Sequence, residues 1–235
     1  MCVRRWVVVS LLFVGVALFG GAATAVALPV EPGPISACSP QWLVQEGIRT
    51  GNAQLLRLAW QRYEEAIRLE PKILDGYLML GRIYFHLSLL GEATRDETMR
   101  ATALAQQAVA MAPTSADAHH VLGMVLSGQG QLVDAMSSLE LAFTLNPTNE
   151  YVVVDMAAIH NALHQPQQTI AMLEGKSIKN GWSYYVLAMA WLQQGERGRA
   201  LLNVLKARRL GFSGYWVDRA LASINSATRL RLPIR

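Results

Sequence analysis

An all-α fold, built as a solenoid of stacked helical hairpins, is predicted by three features of this 235-residue sequence. First, three runs of helical character end in proline: "YEEAIRLEP" at 63–71, "AQQAVAMAP" at 105–113 and "LELAFTLNP" at 139–147. Pro147 follows Pro113 by 34 residues, and Pro113 follows Pro71 by 42, the same period with eight added. A fixed period in this range marks stacked helical pairs, each unable to bury its apolar face alone. Second, small residues recur at constant offsets before these prolines. Ala66, Ala108 and Ala142 lie five positions upstream, and Ala59, Ala101 and Ala135 twelve upstream. With Tyr63, Ala105 and Leu139, eight upstream, they share one helix face, where a neighbouring helix can approach closely. Third, Leu80-Gly81 and Leu122-Gly123 stand nine and ten residues after a proline, with Tyr84 and Leu126 three beyond the glycine. Glycine inside a helix costs roughly 1 kcal/mol against alanine, so its recurrence implies a close contact with the next helix.

Each proline falls where one helix must stop and the next can start. The whole arrangement resembles the tetratricopeptide repeat, whose pattern W-x2-L-G-x2-Y…A-x3-F…A…P matches these positions. The resemblance implies a right-handed superhelix of about five hairpins, over 40–73, 74–115, 116–149, 150–180 and 181–214, followed by a capping helix at 215–227.

Taken in order, the first repeat keeps Gly47, Ala59, Tyr63, Ala66 and Pro71 but lacks the leucine before its glycine. The second carries the eight added residues, with "GEATRDET" the candidate insertion. Either lengthened helices or a longer charged loop would absorb them. The third has Leu122, Gly123, Ala135, Leu139, Ala142 and Pro147 all in place, with "GQGQ" at 128–131 as its turn. The fourth is degenerate: Met156, Ala157 and Leu173 fit, while Lys176 and Gly181 replace the usual alanine and proline. It is also three residues short, which should bend the superhelix near "LEGKSIKNG". The fifth keeps Leu187, Ala188, Trp191, Ala200, Val204 and Ala207 without a closing proline. "YWVDRALASIN", 215–225, then has the character of a cap over the last apolar face.

Ahead of the array, residues 1–27 combine Arg4 and Arg5, an apolar run from Trp6 to Phe19 and a small-residue site at Ala25-Val26-Ala27. They are expected to act as a secretory signal cleaved before Leu28. Two alternatives stand beside that. The 25 residues from Trp6 to Val30 are long enough to remain as a membrane anchor. Ile35-Ser36-Ala37-Cys38 has the look of a lipobox, within a Pro-rich linker at 28–39. The chain is therefore expected to cross the cytoplasmic membrane, as a periplasmic, secreted or membrane-anchored protein. With Cys2 removed with a signal, Cys38 has no intrachain partner, so a disulfide framework or a cysteine metal site is excluded.

Charge is distributed unevenly. Residues 28–196 hold 10 Lys+Arg against 16 Asp+Glu, whereas residues 197–235 hold 9 against 1. A basic end suits acidic lipid headgroups or an acidic partner. A basic tail at 228–235 and the N-terminal segment are the two candidate membrane contacts. Nucleic acid is not expected, because no basic patch is interleaved with aromatics.

The resemblance places ligand contacts on the first helix of each repeat, lining a concave groove. Carried over, the second repeat offers Arg82 and Phe85, and the third His120 and Met124. The fourth offers Tyr151 and Asn161, and the fifth Trp182, Tyr185 and Met189. Aromatics and methionines suit a peptide or protein segment, since rigid rings give contact area and methionine adapts to irregular shapes. Core packing is the competing role for Phe85, Met124, Trp182 and Tyr185. Of the residues that would clamp a peptide carboxylate, only Arg82 and Asn161 are in place, so that recognition mode is not expected.

No catalytic constellation is legible. His160 and His164 stand four apart without the glutamate of H-E-x-x-H, and no nucleophile elbow or phosphate-binding glycine loop occurs. The expectation is a non-enzymatic scaffold or adaptor without cofactor or metal. A tethered structural component, held by an uncleaved N-terminal helix, is the alternative.

Overall fold

The computed structural model describes residues 39–175 and 180–229, with side chains to residue 226. The expected signal or anchor, nearly all of the linker with Cys38, and most of the basic tail lie outside the described residues. Among the described residues there are eleven helices and no strand. They pair as hairpins: α1 (Pro40–Thr50) with α2 (Ala53–Leu69), α3 (Leu74–Leu90) with α4 (Arg95–Met111), and α5 (Ala116–Gly128) with α6 (Leu132–Leu145). Then come α7 (Glu150–Ala162) with α8 (Pro166–Leu173), α9 (Gly181–Gln193) with α10 (Arg197–Arg209), and the single α11 (Gly214–Arg229). No described helix is long and apolar enough to cross a membrane.

Helix starts follow from local chemistry. Ser39, Asn52, Ser115, Asn149 and Asn180 each place a side-chain oxygen on backbone N–H groups of the first turn. Those N–H groups have no partner within the helix, so a capping oxygen is worth about 1 kcal/mol. Most small residues read from the repeat meet their neighbours: Ala59, Ala101, Ala105, Ala108, Ala135 and Ala142 are fully buried, while Ala66 is half-buried. Gly81 lies so close to Val121 that any Cβ would strike its Cγ1, and a Cβ on Gly123 would stand 2.8 Å from Leu139. A repeated polar bond marks the same geometry. The Tyr77 hydroxyl donates to the Pro71 carbonyl at 3.0 Å, and one repeat later His119 Nε2 lies 2.8 Å from the Pro113 carbonyl. Each pins the start of a first helix to the proline that closed the previous repeat.

The added residues of the second repeat lengthen its helices instead of extending a loop. Its two helices run 17 residues each, against 13 and 14 in the third repeat. Thr94 and Glu97 form a capping box that starts α4. Arg57 on α2 reaches Glu97 at 2.9 Å, and Arg100 reaches Glu64 at 2.8 Å, fastening the extension to the first hairpin. In the fourth repeat the deficit falls on α8, which has eight residues. His164 leaves the helix altogether, with φ 57°, so it does not share a helix face with His160. His160 is instead bonded through Nδ1 to Gln165 at 3.0 Å.

The array also closes. After α10 the chain turns through Gly211, and Ser213 bonds to the carbonyls of Ile48 and Arg49 at the end of α1. Tyr215 packs directly over Gly51, the left-handed residue that ends α1. The last helix therefore touches the first across the inner face.

Candidate functional site

Helices α3, α5, α7 and α9 stand side by side along the inner face, so a residue from each can reach its neighbour across one interface. A polar line uses three of them. The Asp155 carboxylate on α7 accepts from His120 Nε2 on α5 at 2.7 Å and from Trp182 Nε1 on α9 at 2.9 Å. A buried carboxylate is tolerated only when donors replace its water, and here two ring N–H groups do so. The other ring nitrogen of His120, Nδ1, is buried without a partner. A bare lone pair costs less there than an unpaired N–H, which favours a proton on Nε2, facing Asp155.

Trp182 is also the floor of an aromatic cluster. It stacks on Tyr185 with ring centroids 5.5 Å apart and planes at 13°. Phe212 tilts against both, at 6.0 and 5.4 Å, and Trp216 meets Tyr185 edge-on at 6.1 Å. Phe212 and Trp216 come from the returning C-terminal segment. Burial pushes the Tyr185 phenol above its ordinary pKa.

Between this segment and the inner face a cavity of about 160 Å³ remains, lined by Ile48, Phe85, His86, Leu89, Met124, Tyr151, Asp155, Trp182, Phe212 and Trp216. Its wall is largely apolar. His86 Nδ1 has no hydrogen-bond partner, and burial, opposed by Asp155 and aided by Arg82, lowers this imidazole to a pKa of about 4. His86 is neutral at pH 7.

The residues singled out from the sequence separate into groups. Phe85, Met124, Tyr151 and Trp182 meet at the cavity. Tyr151, 55% exposed, forms its open rim. His120 is buried behind it as the partner of Asp155, and Tyr185 belongs to the aromatic cluster. Asn161 is engaged with α9: its amide donates to the Val186 carbonyl at 2.8 Å, and its main-chain carbonyl accepts from Gln193 at 3.0 Å. Arg82 and Met189 are half-buried and do not line the cavity. The sequence reading passed over Asp155, although it is the one acidic residue in "YVVVDMAA", where a buried charge demands donors. Ile48, Phe212 and Trp216 carried no such mark, because only the closure brings them in. Among the described residues no three His, Cys, Asp or Glu side chains converge as metal ligands.

No family model matches the chain, and no curated protein does. Solved structures do. TTC0263, a thermophilic TPR protein of Thermus thermophilus, superposes with a TM-score of 0.61 at 18% identity, over 79% of this chain and 99% of that one. A tetratricopeptide repeat protein from Parabacteroides merdae gives 0.62 at 15% identity, over 79% and 71%. Yeast Tom70 gives 0.52 at 15% identity, over 84% of this chain and 41% of that one. At these identities the likeness speaks of architecture, and it agrees with the hairpin order, the buried small residues and the tight glycines. The chain has the tetratricopeptide-repeat fold, an all-α solenoid of helical hairpins.

Proposed function

We propose that this protein is a non-enzymatic interaction scaffold that takes a peptide or protein segment against its inner face. One observation carries this: the returning segment narrows the inner face but leaves an apolar cavity with Tyr151 standing exposed at its rim. A cavity of about 160 Å³ suits a single apolar side chain as an anchor, with the flanking peptide running across Tyr151. Rigid aromatic and methionine walls give such an anchor a desolvated pocket, the usual core of a binding hot spot. The fold supports the reading because stacked repeats leave extended surfaces. The N-terminal sequence supports placing this activity in the cell envelope.

The test is a photoreactive phenylalanine analogue at Tyr151, in the full-length protein in its own cells. A discrete cross-linked partner, lost when Met124→Trp fills the cavity, is the expected result. Cross-links absent at Tyr151 but present from the same analogue at Val133, on the outer side of α6, would overturn the assignment.

A further inference from the structure

We propose that the outer face of α10 docks on an anionic lipid surface. At about 100° per residue, the buried Ala200, Asn203, Val204 and Ala207 occupy one sector of this helix. The opposite sector holds Leu201, Leu205, Arg209 and Leu202. These leucines are 40%, 47% and 54% exposed in that order. Arg208 flanks the stripe on one side, and Lys206 and Arg199 flank it on the other, all exposed. Asp218 is the one acidic residue from Arg197 to the C-terminus, and it lies on α11.

A leucine-rich stripe flanked by cations is what an interfacial helix presents, leucines entering the acyl boundary and cations meeting headgroup phosphates. Lysine and arginine side chains near an anionic surface add their attraction to that of the buried leucines. Among the described residues Arg208 and Arg209 have no ion-pair partner, so their charge is available. Arg199 lies over the Trp191 ring at 4.4 Å and Lys206 over Tyr184 at 5.4 Å, contacts that leave both cations outward. Neither the cavity beside Tyr151 nor a larger one of about 470 Å³ beside Phe143 is lined by α10, which suits a flat partner better than an inserted peptide. Helix α6 makes the contrast. It exposes Val133, Leu141 and Phe143 as well, but its charges are Asp134 and Glu140, which an anionic surface would repel.

The full-length protein carries other segments that can meet lipid, so the readout must be local. With Cys2 and Cys38 replaced by serine, a polarity-sensitive nitrobenzoxadiazole probe is attached at Leu202→Cys, and in a second sample at Val133→Cys. Vesicles of phosphatidylcholine alone are compared with vesicles containing phosphatidylglycerol. The expected result is a blue shift at position 202 with phosphatidylglycerol only, quenched by nitroxide lipid and abolished by Arg208→Gln with Arg209→Gln, while position 133 stays in water. A position-202 probe that remains in water on vesicle-bound protein overturns the proposal. The terminal segments then make the membrane contact, and the α10 face falls to an acidic protein surface. A shift equal on both vesicle types overturns the role of the cations.

Discussion

Ser213, at the entry to α11, donates its hydroxyl to the Arg49 carbonyl at 2.8 Å and lies 3.0 Å from that of Ile48, joining positions 164 and 165 residues apart. These carbonyls end α1 and have no partner within their own helix. The bond therefore caps the first helix with the last turn of the array. Ser213→Ala should cost about 1 kcal/mol. Amide exchange should quicken in α1 and α11 and stay unchanged in α5 and α6. Gly51→Ala should cost more, because its φ of 66° disfavours a side chain and the new Cβ would stand 2.6 Å from the Tyr215 ring.

Removing Asp155 should be among the most damaging single changes. Asp155→Ala leaves the N–H groups of His120 and Trp182 buried without acceptors, each worth about 1–3 kcal/mol. Asp155→Asn keeps one acceptor and should lose less. Thermal unfolding ranks the two, and the near-ultraviolet circular dichroism of the Trp182–Tyr185 stack should weaken in the alanine variant.

Two glycines should respond to alanine with opposite signs. Gly81→Ala forces a Cβ into Val121 between α3 and α5, an overpacking that costs about 1–3 kcal/mol. Gly198→Ala, in the first turn of α10, meets open space and should stabilise by up to about 0.5 kcal/mol. Urea denaturation of both variants checks the pair.

Acid should weaken the fold through His86. Its folded pKa of about 4 lies below the ordinary 6.5, so the unfolded chain binds the proton more readily. Stability from this group is complete above pH 6.5 and is lost as pH falls towards 4, by roughly 3 kcal/mol at most. His86→Phe should flatten the stability profile between those values, measured by denaturant unfolding across the range.

The hairpins were legible because stacking imposes a chemical requirement at fixed spacing: a residue without bulk at Ala105, Ala108 and Gly123, and a helix stop at Pro113. The closure was not legible, since it rests on main-chain carbonyls of Ile48 and Arg49, which every residue possesses. Closure also decides which inner-face residues remain open. Trp182 and Tyr185 read equally as presented aromatics or as core, and Phe212 and Trp216 return to pack against them. "GEATRDET" fitted a loop or longer helices equally well until Arg57 and Glu64 on α2 supplied partners for Glu97 and Arg100 on α4.

An open array of repeats frays from its ends, because each terminal hairpin has one neighbour. Here the two ends hold each other, so neither is terminal in the energetic sense, and local opening must break two interfaces at once. For a partner that needs the whole inner face, the closed form is a competitor already in place. The apparent affinity of such a partner is its intrinsic affinity scaled by the fraction of molecules that have let go of Ser213. A short segment that fits the remaining cavity avoids that reduction, so under the binding mode proposed above the fastening itself would sort ligands by size.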